Sequence, residues 1–415
     1  MGFRVRRILT LGALVAMALS GAASSQPSQP ASWVGVWGAS PLPPTLVASG
    51  FATLSPSFDN QTVRQVVRVN GGGAQVRLRL TNEYGSKPLE VGEVHVALSA
   101  GPDGAIVPGS DHVVTFSGSK STLIPAEAPM LSDPIAMDVK PLTSLAVSIY
   151  FPADTGPCTC HQLAVQTGFV SDRGDYAGAA AFPTKSTFIS RAFLSGVEAL
   201  APARTVVAFG DSITDGAVST NDANRRWPDR LAERLNAAAP GKWGVVNQGI
   251  SGNQLLADGA GQSGPARFDR DVLSVSGVSH VIVLLGVNDL GIGYGPPRPG
   301  ARPNPNPPSF EAMQAAYRQL IARAHARGVK IYGGAITPYE GASYWSPAGE
   351  AVRERINTWI RTSKEWDGFI DFAAALADPA KPTAMKEGLG AADHLHGSDA
   401  GYTAMGDAVP LDLFK

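Results

Sequence analysis

Four short polar segments stand where apolar runs break off. "VVAFGDSITDG" (Val206–Gly216) passes from valine and phenylalanine straight into Asp211 and Ser212. "NQGISGN" (Asn247–Asn253) supplies Gly249, Gly252 and Asn253, and "GVND" (Gly286–Asp289) supplies Asn288 and Asp289. Close to the C-terminus, "ADHLHGSDAGY" (Ala392–Tyr402) carries Asp393, His394 and His396. Such a set can transfer an acyl group. A serine hydroxyl is a weak nucleophile until a base takes its proton, and His396 is the base on offer. Asp393, three residues earlier, could fix the histidine tautomer and stabilise the imidazolium. A tetrahedral intermediate needs preorganised donors, and three are present: the Ser212 N–H, the Gly252 N–H and the Asn288 side-chain amide. Losing one such donor typically costs about 3–4 kcal/mol of barrier.

Each piece also has a plainer reading. Gly-Asp-Ser alone is a polar turn at a strand end, and Asn288 alone is a satisfied turn residue. Asp393, His394 and His396 could be metal ligands, yet no H-E-x-x-H and no second carboxylate cluster completes such a site, so neither metal nor cofactor is expected. The G-x-S-x-G elbow is absent, which disfavours the usual α/β-hydrolase arrangement. Only a fold that gathers all four segments decides in favour of chemistry.

The pattern from about Ala203 onward predicts such a fold. "TVVAFG" (205–210), "WGVVN" (243–247), "HVIVLLG" (280–286), "VKIYGGAI" (329–336) and "GFIDF" (368–372) are nearly continuous apolar runs. Helical patterns separate them: "WPDRLAERLN", a stretch around "ARFDRDVLS", "SFEAMQAAYRQLIARAHARG" and "PAGEAVRERINTWIRTSKEW". Buried strands alternating with helices predict a parallel sheet covered on both faces, with ligands outside the C-terminal strand ends. All four polar segments follow such ends. The proline- and glycine-rich stretch 291–308 also follows one, and is expected to be a functional loop.

Residues 32–198 read differently. "TVRQVVRV" (62–69), "QVRLRLT" (75–81), "EVHVALS" (93–99), "SLAVSIY" (144–150) and "QLAVQTGF" (162–169) are short runs, most with period-two alternation, between turn-rich pieces. They predict an all-β sandwich or jelly-roll-like domain. Alternation places Arg77, Arg79 and His95 on wet faces. Cys158 and Cys160, the only cysteines, sit in "GPCTCH". A tightened surface loop is favoured there over a metal or redox role involving His161; whether the two pair is left open.

The whole chain sets bounds. Its 415 residues favour two domains, and a net charge of −1 without charge blocks removes the usual electrostatic case for nucleic acid. Arg4, Arg6 and Arg7 ahead of the apolar run Ile8–Leu19 predict a signal peptide over residues 1–24, cleaved near Ala23. The run is short for a membrane span, so no integral membrane segment is expected after cleavage, and the mature chain should be periplasmic or secreted.

The wording and order of the four segments resemble the SGNH (GDSL) hydrolase superfamily. "FGDSIT" is similar to its first block with the nucleophilic serine, "NQGISGN" to the second, "GVND" to the third, and "DHLH" to its D-x-x-H block. The resemblance runs from about Thr205 to the C-terminus. It implies a three-layer α/β/α, flavodoxin-like domain over 203–415, with Ser212, Asp393 and His396 catalytic and Ser212, Gly252 and Asn288 forming the oxyanion hole. Asp371, at the end of the fifth strand, competes for the acid's role, but the block favours Asp393. His394 and Asn253 are expected to line the substrate site. Stretches such as "VRQVVRVNGGGAQVRLRLTNEYG" and "SDPIAMDV" resemble the β-domain preceding this domain in some secreted bacterial members.

The implied activity is ester hydrolysis through an acyl-enzyme without a metal. A carbohydrate O-acetylesterase acting on acetylated polysaccharide is the favoured substrate reading, with a short-chain lipase or arylesterase as the alternative. A non-catalytic carbohydrate-binding protein, using Trp33 and Trp37, is the alternative of another class.

Overall fold

The computed structural model describes residues 1–3, 30–47, 53–297 and 304–415. The expected signal peptide and the middle of the loop 291–308 fall largely outside these residues.

Two hydrophobic cores follow one another along the chain. The first belongs to antiparallel sheets. A four-stranded sheet has the order Ser32–Gly38, Leu194–Ala201, Val76–Thr81, Pro129–Leu131, so its first and last strands in sequence are neighbours. A six-stranded sheet runs Thr184–Phe188, Gly168–Arg173, Gln61–Arg68, Ser144–Phe151, Val94–Leu98, His112–Val114. Val76, Leu78 and Leu80 point into the core while Arg77 and Arg79 alternate outward, as a half-buried strand requires. Arg77 then pairs with Glu198 and lies over the Trp33 ring. Arg191 covers Trp37, which is itself nearly buried. Neither tryptophan is left as an open platform for a sugar.

The expected outward placement of His95 is corrected. It is only 7% exposed, with Nδ1 2.7 Å from Asp111 and Nε2 3.3 Å from Glu93. Short strands beside it bring those carboxylates over the ring, which alternation alone does not reveal. Cys158 and Cys160 form a disulfide and are fully buried, so the surface-loop expectation is also corrected.

The second core surrounds a five-stranded parallel sheet ordered Trp243–Gly249, Arg204–Gly210, Val278–Leu284, Lys330–Gly334, Gly368–Ile370. Sequence order is thus 2-1-3-4-5, and the direction of winding reverses beside Arg204–Gly210. Val206, Val207, Ala208 and Phe209 are inaccessible, which explains the unbroken apolar run. The helices start where local chemistry allows. Ser309 caps Phe310–Ala326 by accepting from Ala312 N, and Ser346 caps Pro347–Thr362 by accepting from Gly349 N. Gly328, at φ +67°, follows the first of these where the chain must turn left-handed. The stretch around "ARFDRDVLS" is a short α-helix, Gly264–Phe268, continuing into a π-helical turn, Asp269–Leu273.

The last strand of the N-terminal antiparallel sheets ends at Ala201, and the parallel sheet begins at Arg204. The two parts are pressed together rather than strung apart. Gly35 N donates to Ser276 O, and Thr205 Oγ1 to Gly35 O. A Cβ on Gly244 would lie 2.2 Å from Gly35 O, so this approach of two backbones requires glycine.

Candidate active site

Strand Arg204–Gly210 ends by delivering Ser212 to the edge of the parallel sheet. The Asp211 carboxylate accepts from Ile213 N at 3.0 Å and so starts the four-residue helix Ser212–Asp215 at the serine. Burial is the largest influence on Asp211 and pushes its pKa up to about 7.

The C-terminal segment arrives from 184 positions away. Ser212 Oγ lies 2.8 Å from His396 Nε2, and His396 Nδ1 lies 2.6 Å from Asp393 Oδ2. Nδ1 faces a carboxylate and therefore carries the proton, which leaves the Nε2 lone pair for the serine hydroxyl. Asp393 Oδ1 also accepts from the backbone N–H groups of Leu395 and His396. Burial works against the Asp393 charge, but these bonds and His396 outweigh it and hold the carboxyl well below its usual range. Asp371 takes no part. It pairs with Arg361 and caps the helix Phe372–Leu376.

Three hydrogen-bond donors accompany Ser212. Asn288 opens the helix Val287–Tyr294, and its Nδ2 gives one hydrogen to Asn253 O at 3.0 Å, keeping the other. Gly252 has φ +79°, a conformation glycine adopts without strain. Among the described residues, the N–H groups of Ser212 and Gly252 have no acceptor. Asp289 braces the neighbouring loop by accepting from Leu255 N and Leu256 N at 2.7 and 2.8 Å.

Of the two residues expected to line the substrate site, one is turned away. Asn253 is inaccessible: its Nδ2 donates to Ala260 O and Gln262 O, and its Oδ1 accepts from Arg267. Every polar atom of that side chain is used inside the protein, because the glycine turn before it rotates the chain inward. His394 is exposed, at φ +56°, packed over Gly341.

Three supporting roles were not legible in the sequence. Arg267 is fully buried and donates to Gly210 O, Gln248 O, Asn253 Oδ1 and Asp271, tying the serine strand to the second polar segment. Its one legible signal was an Arg and an Asp four apart on a helical pattern. Tyr344 donates to Asn288 Oδ1 at 3.3 Å. His161 reaches across from the antiparallel part to Asp215 Oδ1 at 2.9 Å. Asp215 in turn accepts from the Ser251 N–H and hydroxyl.

The profile of the GDSL-like Lipase/Acylhydrolase family matches residues 208–404. No curated protein sequence matches the chain. Solved structures similar to it include a lipolytic protein of the G-D-S-L family from Desulfitobacterium hafniense (23% identity, 49% of this chain and 96% of that one, TM-score 0.37). An acetyl xylan esterase from Geobacillus stearothermophilus is similar at 22% identity over 51% of this chain and 94% of that one, TM-score 0.38. A lipase/acylhydrolase from Enterococcus faecalis is similar at 18% identity over 49% and 92%, TM-score 0.37. The parallel-sheet domain therefore carries the match to the GDSL-like lipase/acylhydrolase family, and that match supports a carboxylic ester hydrolase.

Proposed function

We propose that the protein cleaves esters through an acyl-enzyme on Ser212. The reading rests above all on the unbroken hydrogen-bonded chain Asp393–His396–Ser212. In this mechanism His396 Nε2 takes the Ser212 proton as Oγ attacks the ester carbonyl. The N–H groups of Ser212 and Gly252 and the free Asn288 amide hydrogen hold the oxyanion. His396 then protonates the departing alcohol. Water, deprotonated by the same imidazole, releases the acid and restores the serine, while Asp393 holds the Nδ1 proton throughout.

For the substrate we infer a short acyl group, of the acetyl class, on a carbohydrate. Tyr344 supports this reading. Its ring packs so closely over Gly291 that a Cβ there would lie 1.6 Å from it, and its hydroxyl holds Asn288. An aromatic side chain therefore stands directly behind the oxyanion amide, which agrees with a small acyl group. Export to an oxidising compartment, inferred from the N-terminal charge pattern, agrees with a Cys158–Cys160 disulfide and with a polymeric substrate outside the cell.

Rates on p-nitrophenyl esters from acetate to octanoate, beside acetate release from acetylated xylan and pectin, test the substrate. The acetyl ester should be fastest and acetate should be released. Octanoate turnover above acetate, with no release from either polymer, would assign the protein to the lipase or arylesterase reading instead. Sequencing the mature N-terminus tests export, and a new terminus near Ala23 is expected.

A further inference from the structure

His161 belongs to the antiparallel domain, yet its imidazole is buried against the helix that carries Ser212. Its surroundings consist of acceptors. Nδ1 lies 3.1 Å from Ser40 O, while Nε2 lies 3.1 Å from Leu163 O and 2.9 Å from Asp215 Oδ1. A neutral imidazole has one N–H and one bare lone pair, which would face an oxygen here. Protons on both nitrogens satisfy all three acceptors, which fits an imidazolium paired with the Asp215 carboxylate. Burial alone would discharge it, but Asp215 and the two carbonyls outweigh that and raise its pKa. With no lone pair left over, this histidine is not a metal ligand.

The pair has an onward connection. Asp215 Oδ1 faces His161, whereas Oδ2 accepts from Ser251 N at 3.1 Å and from Ser251 Oγ at 2.8 Å. Ser251 immediately precedes Gly252, whose N–H is one of the three free donors. The antiparallel domain holds the other side of the serine helix too. Thr167 N and Oγ1 both donate to Asp222, Asp222 N donates to Val165 O, and Arg226 binds Ala164 O. Val165, Val218, Asp222 and Asn224 all adopt positive φ along this seam. Non-glycine residues keep such conformations only where their surroundings over-determine them.

We propose that His161 is a positioning residue for ester hydrolysis, acting through Asp215 and Ser251 to aim the Gly252 N–H at the oxyanion, so that the antiparallel domain completes the active site. This rests on the acyl-enzyme reading above. The disulfide Cys158–Cys160 and the pairing of Cys160–His161 with Arg191–Ala192 fix the segment that delivers the ring.

The test uses the full mature chain and three variants: His161→Gln, Ser251→Ala, and the double variant His161→Gln/Asp215→Asn. Active sites are first counted by the stoichiometry of a p-nitrophenyl phosphonate, and kcat is then expressed per titrated site on p-nitrophenyl acetate. A variant that merely folds poorly shows fewer sites with unchanged kcat. For His161→Gln we expect kcat per site to fall roughly tenfold with KM within about twofold, the scale of one coupled contact. Ser251→Ala, which keeps the backbone N–H, should lose less. The double variant should be no slower than His161→Gln, because a neutral pair replaces a broken ionic one. Wild-type kcat per site in both His161→Gln and Ser251→Ala would overturn the inference. A wild-type enzyme that the phosphonate does not label would instead overturn the acyl-enzyme reading.

Discussion

The Tyr344 hydroxyl donates to Asn288 Oδ1 across 3.3 Å, and this bond decides which way the Asn288 amide faces. With Oδ1 engaged there and one Nδ2 hydrogen given to Asn253 O, the remaining hydrogen has a single direction. Tyr344→Phe removes the orienting bond but keeps the ring. We expect kcat to drop about fivefold to tenfold, on the order of one hydrogen bond, with KM nearly unchanged. Asn288→Ala removes the donor itself and should cost about 10²–10³ in kcat. Equal losses for the two variants would show that Tyr344 does more than orient the amide.

Asp393→Asn leaves the shape of the triad intact but withdraws the acceptor for the Nδ1 proton. The tautomer with its proton on Nε2 then becomes available, and that form cannot accept from Ser212. Turnover should fall by on the order of 10³–10⁴, measured on p-nitrophenyl acetate. Asp371→Asn, which disturbs an ion pair with Arg361, should leave turnover within about twofold while lowering stability slightly. Treatment with EDTA should leave activity unchanged, and loss reversed by zinc would sink the serine mechanism.

Arg267→Ala should cost about 3–5 kcal/mol, because it strands Asp271 without its buried partner and frees two backbone carbonyls. Arg270 also binds Asp271, so some pairing survives and keeps the loss finite. Urea denaturation reads the stability. Activity should disappear at denaturant concentrations the wild type tolerates, since Gly210 O and Asn253 Oδ1 lose their common clamp.

Stability should decline as pH rises from about 4 to about 7. Burial pushes Asp211 up to about 7 and Asp289 up to about 6, whereas both titrate in the ordinary carboxylate range when unfolded. Between those limits the folded protein holds protons that the unfolded chain has released, so each unit of rising pH favours unfolding by up to about 1.4 kcal/mol per group. Asp211→Asn, which can still accept from Ile213 N, should show a smaller fall in Tm between pH 5 and pH 7.5. An identical fall in both proteins would contradict the assignment to Asp211.

Local information was enough for the framework. The five apolar runs became the five parallel strands because a strand buried on both faces leaves no room for polar residues. Ser212, Asn288 and His396 were legible because each follows a strand or closes a short motif, and a sheet edge brings such positions together whatever the loops do. "QLAVQTGF" shows where this stopped. Its alternation predicted a strand over 162–169, but the observed strand is Gly168–Arg173. The preceding residues bind the loop after Ser212 instead, and no periodicity encodes a partner 55 residues away.

The residue types of the proposed chemical centre were thus legible in the sequence itself, since a nucleophile, a base and an oxyanion amide each demand a particular side chain. Which groups hold them in place was decided only by the tertiary structure. Arg267, Tyr344, Asp215 and His161 act through hydrogen bonds to residues far away in the chain, Gly210 lying 57 positions from Arg267 and Ser40 121 from His161, and several of those bonds end on backbone carbonyls that any amino acid could provide. Such contacts leave almost no signature in the chain, because their specificity lies in burial and direction rather than in the identity of the partner.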